Sequence, residues 1–560
     1  MDERMNKYIN ALAAALGAAP KKPEPIPKAS NYPLYLKENM PSPKELEMQR
    51  RASSEDGIMF SVVIDAAGAS LCDIGSTLIS LYAQTYPHFE GLLIVDETTQ
   101  IGCFIDDERI ITAESEDGGI ACADRMVSGG AVIRLAAGDR LSPDALYRFA
   151  QILNERPDIM LVYSDNDRII KGERVCPRFK PAYSPVSEFC FDHIQRPLCA
   201  RNVLHELSGG YSAAGSQHIY TLKCFEKAGH AVHIPGVLLS IKHEALPTEP
   251  PIPPKCFECL PGSFSSSYRL IHEKPVKGKT AIVIPDTGSA SQLKNCLECI
   301  DVLSVKRKHD IVIGLGKRPD KELEDYLSSL KRNRAATVIE LFEDGEITVP
   351  RVLNECASRA AADHFVFMSA AIEIVSCDFI DELLCPLMLS GVGVSGGKLL
   401  CADGKLLHTG YVIGVGGWAE SLYPGTEDDS HDETKCFYTA MQRNVSAVSG
   451  AFMAVNAETF LRIGMFDESF EEVGWDIEFC LRARERGLDT VWTPFAAAKL
   501  LREPKSFGEA SKKDLSRCYD VMRETLLTGD PYYNTAYDCR FTTPIVSIKP
   551  TKPIVLNPNF

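Results

Sequence analysis

Two pairs of cysteines stand with two residues between them, Cys256/Cys259 and Cys296/Cys299, and four thiolates at that spacing could close a tetrahedral zinc site. Their settings differ. In SQLKNCLECIDVL, Leu293, Cys296 and Ile300 recur at helical spacing, so the second pair belongs to the buried face of a core helix. Cys256 and Cys259 lie in a proline-rich connector and are the better redox or metal candidate. Asp96 invites a different chemistry. It directly follows the apolar run GLLIV (91–95), and in sheets of buried parallel strands ligands gather beyond the carboxyl ends of the strands.

Such residues need elements to hold them, and the chain opens in the same way twice. FSVVI (60–64) leads through DAAGASLCD to a predicted helix near 73–84 and then to GLLIV; TAIVI (280–284) leads through PDTGSAS to a helix near 291–303 and then to DIVIG (310–314). Unbroken apolar strands alternating with helices imply parallel pairing buried on both faces. The predicted fold class is α/β, and the internal repeat implies duplication. The proline-rich stretches PKKPEPIPK (20–28) and LPTEPPIPPK (246–255) mark the boundaries. The expected division is an N-terminal helix (about 5–17) and linker over 1–56, a first domain over 57–245 and a connector over 246–278. A second domain over 279–510 and a tail over 511–560 complete it.

At 560 residues and 45% hydrophobic content, the chain requires more than one core. Its formal charge of -16 repels phosphate backbones, so no nucleic-acid partner is predicted. No apolar run approaches the roughly 20 residues that span a bilayer, and no transmembrane segment is predicted. The start MDERMNKYINALAAALGA lacks a secretory pattern, so the predicted location is cytoplasmic. Nineteen cysteines, an odd number scattered through apparent strands and helices, suit free thiols in a reducing compartment.

The first half carries SLYAQTYPHFEGLLIVDETTQ (80–100), LAAGDRLSPDAL (135–146), LVYSDNDRI (161–169), FKPAYSP (179–185) and SGGYSAAGSQ (208–217). The second carries DGKLLHTGYVIG (403–414), VSAVSGAFMAVNAETFLRIGMFDESFEEVGWDIEFCLRARERG (445–487) and DPYYN (530–534). In these stretches the chain resembles family 2 glycosyltransferases of the GT-A fold, especially bacterial proteins with two such domains that build cell-surface polysaccharide. The resemblance implies two tandem nucleotide-diphospho-sugar transferase-like domains with mainly parallel sheets.

It also implies a divalent ion on a carboxylate-any-carboxylate motif, because a hard cation needs oxygen ligands and the departing diphosphate needs neutralising. The matching positions hold Ala136 and Gly138, with Asp139 left over, in the first half, and Ala370 and Ala371, with Glu373 nearby, in the second. The family's general base falls on His218 in the first half and on Asp476 in the second, where Glu478 follows two residues on. As a helix N-terminal acid, Asp476 also fits a purely structural role. A late metal-binding histidine is replaced by Ser240, and Leu315 stands where the first half has Asp96. The resemblance therefore leaves Asp96, Asp139, Asp165 and Asp167 for a nucleotide sugar, Asp476 for catalysis, and Gly450 and Glu478 on the acceptor side. No metal or other cofactor is expected.

Three readings follow. One is a non-catalytic or strongly altered relative that binds a glycan, a nucleotide sugar or an active transferase during surface-polysaccharide or protein glycosylation. The alternative is an active inverting, metal-independent hexosyltransferase with Asp476 as base and an arginine or lysine in place of the metal. The third is a protein-interaction module working through the N-terminal helix and Cys256/Cys259.

Overall fold

FSVVI has no polar alternation, so a strand made from it must be covered on both faces. In the computed structural model it is β1 (Phe60–Asp65), with Phe60, Val62, Val63 and Ile64 fully buried. The structure describes residues 31–53, 57–99, 107–114, 119–243, 250–285, 289–304, 307–341, 347–429, 432–502, 505–553 and 555. The helix expected at 5–17 and the 20–28 linker lie outside the described residues.

β2 (Phe89–Val95), β3 (Ile110–Glu114) and β4 (Ala131–Ala136) extend β1 in parallel. β5 (Arg140–Leu141), β6 (Leu161–Ile170), β7 (Glu173–Arg178), β8 (Leu198–Arg201) and β9 (Val232–Ile241) complete the sheet. Its order is β3-β2-β1-β4-β8-β6-β9-β5, with β7 on β6. A hairpin of β10 (Phe257–Pro261) and β11 (Tyr268–His272) occupies the connector.

The second sheet contains β12 (Thr280–Ile284), β13 (His309–Leu315), β14 (Thr337–Glu340), β15 (His364–Met368), β16 (Ile372–Ile374), β17 (Val392–Leu400) and β18 (Leu406–His408). After a separate hairpin of β19 (Tyr411–Ile413) and β20 (Ala419–Ser421) come β21 (Arg443–Val445), β22 (Phe452–Asn456) and β23 (Asp489–Leu500). The order β14-β13-β12-β15-β22-β17-β23-β16 repeats the first sheet strand for strand. Pairing sense repeats as well. β4–β8 and β15–β22 are antiparallel, β6–β9 and β17–β23 parallel, and β5–β9 and β16–β23 antiparallel.

The opening helices repeat a device. Ser70 caps Leu71–Tyr82 by accepting from the Asp73 N–H at 3.2 Å, and Ser289 caps Ala290–Leu303 by accepting from Gln292 at 3.3 Å. The first helix begins two residues before the expected position because Ser70 supplies the cap. Among the described residues, no helix is long and apolar enough to cross a membrane.

The two units share a seam. Val186, Cys190 and Phe191, from and beside the short helix Pro185–Cys190, join the core of the second unit. The Asn444 side chain accepts from Val186 N at 3.0 Å, while Asn444 N donates to Ser187 Oγ at 3.2 Å. DPYYN closes the seam from the other side. Asp530 accepts from Ile413 N and Tyr532 N at 2.8 Å each, and Asn534 Nδ2 donates to Asp165 at 3.0 Å and to Lys180 O at 2.9 Å. The segment expected to be linker contains two helices, Tyr32–Asn39 and Pro43–Ala52. The first packs Tyr32 and Tyr35 against Phe179, whose ring also meets that of Tyr537 from the tail.

Candidate functional site

The first candidate site lies where β1, β2 and β4 end. Asp96 follows β2, and its Oδ1 accepts from Thr98 Oγ1 (2.7 Å), Thr99 Oγ1 (2.8 Å) and Thr98 N (2.9 Å). Those hydrogen bonds, Thr98 first and then Thr99, hold its carboxyl at about 2, so it is ionised at neutral pH.

After β4 the chain turns through Ala136, Ala137, Gly138 and Asp139. The Thr77 hydroxyl fixes the turn, accepting from Gly138 N at 2.9 Å and donating to Asp139 O at 2.8 Å. Gly138 has φ +98, and a Cβ there would stand 2.9 Å from Lys242 Cδ. Glycine is required by both the backbone and the lysine that crosses it. Asp139 is fully buried with Arg196 Nε 3.0 Å from its Oδ2. Burial pushes its carboxyl up, while the Arg196 charge pulls it back. Lys242 forms an ion pair with Asp73, and His243 Nε2 stands 3.3 Å from the same carboxylate. Burial would raise Asp73, yet Lys242, Ser70 and His243 bring it below the usual carboxylate range.

An oxygen-rich metal site does not fit here. Ala136 and Gly138 offer no side-chain oxygen, and the one carboxylate left, Asp139, is already neutralised by Arg196. Arg196, Lys242 and His243 instead bring positive charge or hydrogen-bond donors to the strand ends. The sequence reading missed all three. Ser240, taken as the late-histidine position, is buried in β9 opposite Arg140, and the residues that reach the cleft come two and three places later.

Asp165 and Asp167 are placed differently from the expectation that they face a nucleotide sugar. Both are fully buried in β6. Asp165 accepts from Lys180 N (2.9 Å), Gly236 N (2.8 Å), His233 Nε2 (2.7 Å) and Asn534 Nδ2 (3.0 Å), which fills its acceptor capacity. Asp167 binds the Tyr32 hydroxyl and Arg174 Nε, the latter at 2.6 Å. They tie segments together inside the fold. His218 is also turned inward, 3% exposed with Nε2 2.6 Å from Glu188 O.

In the second unit Ala370 and Ala371 follow β15 and are buried, and Leu315, at the end of β13, is 1% exposed. Glu373 lies in β16 opposite Lys499 of β23. Here too, the matching positions carry no pair of carboxylates. Asp476 occupies the first turn of the helix Trp475–Glu485, and its Oδ2 accepts from Gly450 N at 2.8 Å. Burial pushes its carboxyl up against that hydrogen bond. The loop bearing Gly450 is held from the HTG motif: His408 Nε2 accepts from Ser449 N at 3.0 Å while its Nδ1 meets Ser421 Oγ at 2.8 Å. An accepting Nε2 makes His408 the neutral Nδ1–H tautomer, in keeping with burial lowering it to about 3.

Glu478 lies on a different side of the helix from Asp476. Two residues along a helix point to nearly opposite sides, and Glu478 makes a bidentate pair with Arg482, both contacts 2.7 Å. Arg482 in turn donates to Ile463 O and Met465 O, so Glu478 braces the turn before FDESF. Gly450 keeps a defined role. A Cβ there would stand 2.1 Å from the Trp475 ring. Gly450→Ala is therefore expected to push the indole, shift its neighbour Asp476 and cost roughly 1–3 kcal/mol, read from the urea midpoint.

Cys256 is exposed, Cys259 is half-buried in β10, and Cys296 is buried on its helix. Among the described residues the four cysteines do not converge on a common ligand position.

The two sheets share strand order and pairing sense, so the chain is built of two similar α/β units, and the motifs around them resemble those of glycosyltransferases. It is 26% identical over 582 residues to the O-antigen biosynthesis protein RfbC of Myxococcus xanthus, a match covering 95% of this chain and 44% of that protein. It is 24% identical over 544 residues to the uncharacterized protein y4gI of Sinorhizobium fredii (strain NBRC 101917 / NGR234), covering 87% and 58% respectively. The chain spans about half the length of these curated relatives. Among solved structures, GalNAc-T7 with UDP, GalNAc and Mn2+ matches over 46% of this chain and 49% of that one, at 13% identity and a TM-score of 0.36. The mannosyltransferase PcManGT of Pyrobaculum calidifontis in complex with GDP-Man and Mn2+ matches over 45% and 66%, at 12% identity and a TM-score of 0.31. No family model matches the chain.

Proposed function

We propose that the chain is a glycosyltransferase-like component of surface-glycan assembly, catalytically silent or strongly altered, whose first domain (57–245) engages a nucleotide sugar without a metal. The observation that carries this reading is the exchange at the end of β4. Oxygen ligands are absent at Ala136 and Gly138, while Arg196 pairs with Asp139 and Lys242 crosses Gly138. A fixed cation can neutralise a diphosphate as an ion would, but a lysine or arginine already paired with a carboxylate stabilises developing charge less. Asp96, ionised and at a strand end, suits contact with the base or ribose. The O-antigen role of the Myxococcus xanthus relative supports the surface-glycan setting, with other transferases and glycan-assembly proteins as partners.

A thermal-shift panel of nucleotide sugars tests this. A donor at 100 times its Kd is expected to stabilise the chain by about 2.7 kcal/mol. The shift should persist in EDTA and disappear in Lys242→Ala. Stabilisation that appears only with Mn2+ would defeat the metal-free reading.

The alternative, an active inverting transferase with Asp476 as base in the second domain (279–510), draws support from the upward shift of that carboxyl, since a base works best when its pKa approaches the working pH.

A further inference from the structure

A second cluster of chemistry-bearing side chains lies at the seam between the units. Glu188, Asp192 and His218 each offer a ligand atom within 4.8 Å of the others. Glu188 is fully buried and His218 is 3% exposed. Their surroundings are those of the seam: Glu188 sits in the helix whose Val186 and Ser187 bond to Asn444, and the His193 ring lies 5.6 Å from that of Phe437 in the second unit.

The hydrogen bonding is lopsided. Glu188 Oε2 is held by Ile194 N at 3.2 Å and by His193 Nδ1 at 2.8 Å, and Asp192 Oδ1 accepts from Gln195 N at 3.0 Å. The other glutamate oxygen, Oε1, is buried without a partner, as is His218 Nδ1. A native fold seldom leaves a buried carboxylate oxygen empty. His218 Nε2 gives its hydrogen to Glu188 O at 2.6 Å, which leaves Nδ1 as the imidazole nitrogen free to take an ion. The buried ammonium of Lys180 donates to the main-chain oxygens of Ser164 (2.6 Å) and Arg196 (3.0 Å), not to either carboxylate.

We propose that Glu188, Asp192 and His218 form a divalent transition-metal site of the zinc type that braces the seam between the two units. Two oxygens and one imidazole nitrogen favour such an ion over magnesium or calcium, which take oxygen sets. His193, bound to the far oxygen of Glu188, and the N–H groups of Ile194 and Gln195 orient the ligands from outside, as outer partners do in metal sites. The site is separate from the strand-end cleft and does not depend on the functional reading above.

The test is metal content after purification of the full chain from zinc-supplemented medium and dialysis, measured by plasma mass spectrometry. About one zinc per chain is expected, with a thermal midpoint that falls on chelation. Glu188→Gln, His218→Gln and Asp192→Asn should each weaken zinc binding at least about tenfold. Asp139→Asn and the double change Cys256→Ser with Cys259→Ser should leave it intact. Should the two buried substitutions prevent folding, Asp192→Asn, at a partly exposed residue, decides alone. A chain that holds no zinc above background, zinc retained in Asp192→Asn, or zinc lost with the cysteines would overturn the assignment.

Discussion

Given a nucleotide-sugar donor and a glycan acceptor, the purified chain is expected to transfer sugar roughly 10⁴-fold more slowly than a transferase with an intact metal site and base. Two losses combine. The positions that should ligate an ion are Ala136 and Gly138 in one unit and Ala370 and Ala371 in the other, and Asp139 is already ion-paired with Arg196. Losing electrostatic stabilisation of the leaving diphosphate costs about 10² to 10³ in rate. In the first unit the base is lost as well, since His218 is buried against Glu188 O and cannot meet an acceptor hydroxyl, which removes another factor of about 10². What remains should depend on Asp476, and Asp476→Asn should abolish it while leaving the denaturation midpoint nearly unchanged. Acceptor-dependent turnover at an ordinary enzymatic rate, about 1 s⁻¹ or faster, would show that the chain is an active transferase.

The sheet centres were legible because their strands are covered on both faces and so read as unbroken apolar runs. β1, β2, β12 and β13 lie where FSVVI, GLLIV, TAIVI and DIVIG predict. The edges were not. β5 has two residues and β16 three, too short for any periodicity, and each exists only because β9 or β23 passes beside it. The helix Tyr32–Asn39 was hidden by the prolines around it, since it is held by packing of Tyr32 and Tyr35 on Phe179, a residue distant in sequence, while Pro43–Ala52 buries no side chain and is marked only by its Ser42–Glu45 capping box.

At the site, the missing carboxylates could be read from residue type alone, whereas what replaces them could not. Lys242 reaches Gly138 only because β9 runs parallel to β6 and antiparallel to β5, delivering its final residues to the strand ends. Glu478 and Asp476 share one motif but part company because the helix turns them apart. The partners of SDND in β6 were not legible either, because they come from distant parts of the chain. One partner of Asp165 is Asn534, 369 residues further along the chain.

That contact sets the largest expected effect on stability. Asp165→Ala is expected to destabilise the chain by roughly 3–5 kcal/mol, because it leaves the buried N–H groups of Lys180 and Gly236 and the His233 ring without their acceptor and takes from the Asn534 amide one of its two. Asn534→Ala removes one donor and should cost less, roughly 1–3 kcal/mol. The two substitutions share their contacts, so the double variant should fall well short of the sum, and the shortfall measures the coupling between the tail and the first unit. Asn534 also donates to Lys180 O, while Asp530 of the same motif is held by Ile413 of the second unit, so DPYYN acts as a clasp across both units. Loss of the clasp should therefore expose the seam to limited proteolysis near residues 250–278 at a denaturant concentration where the wild type resists. An Asp165→Ala chain within about 0.5 kcal/mol of wild type would mean that Asp165 is not the anchor, and a strictly additive double variant would mean that Asn534 does not act through it.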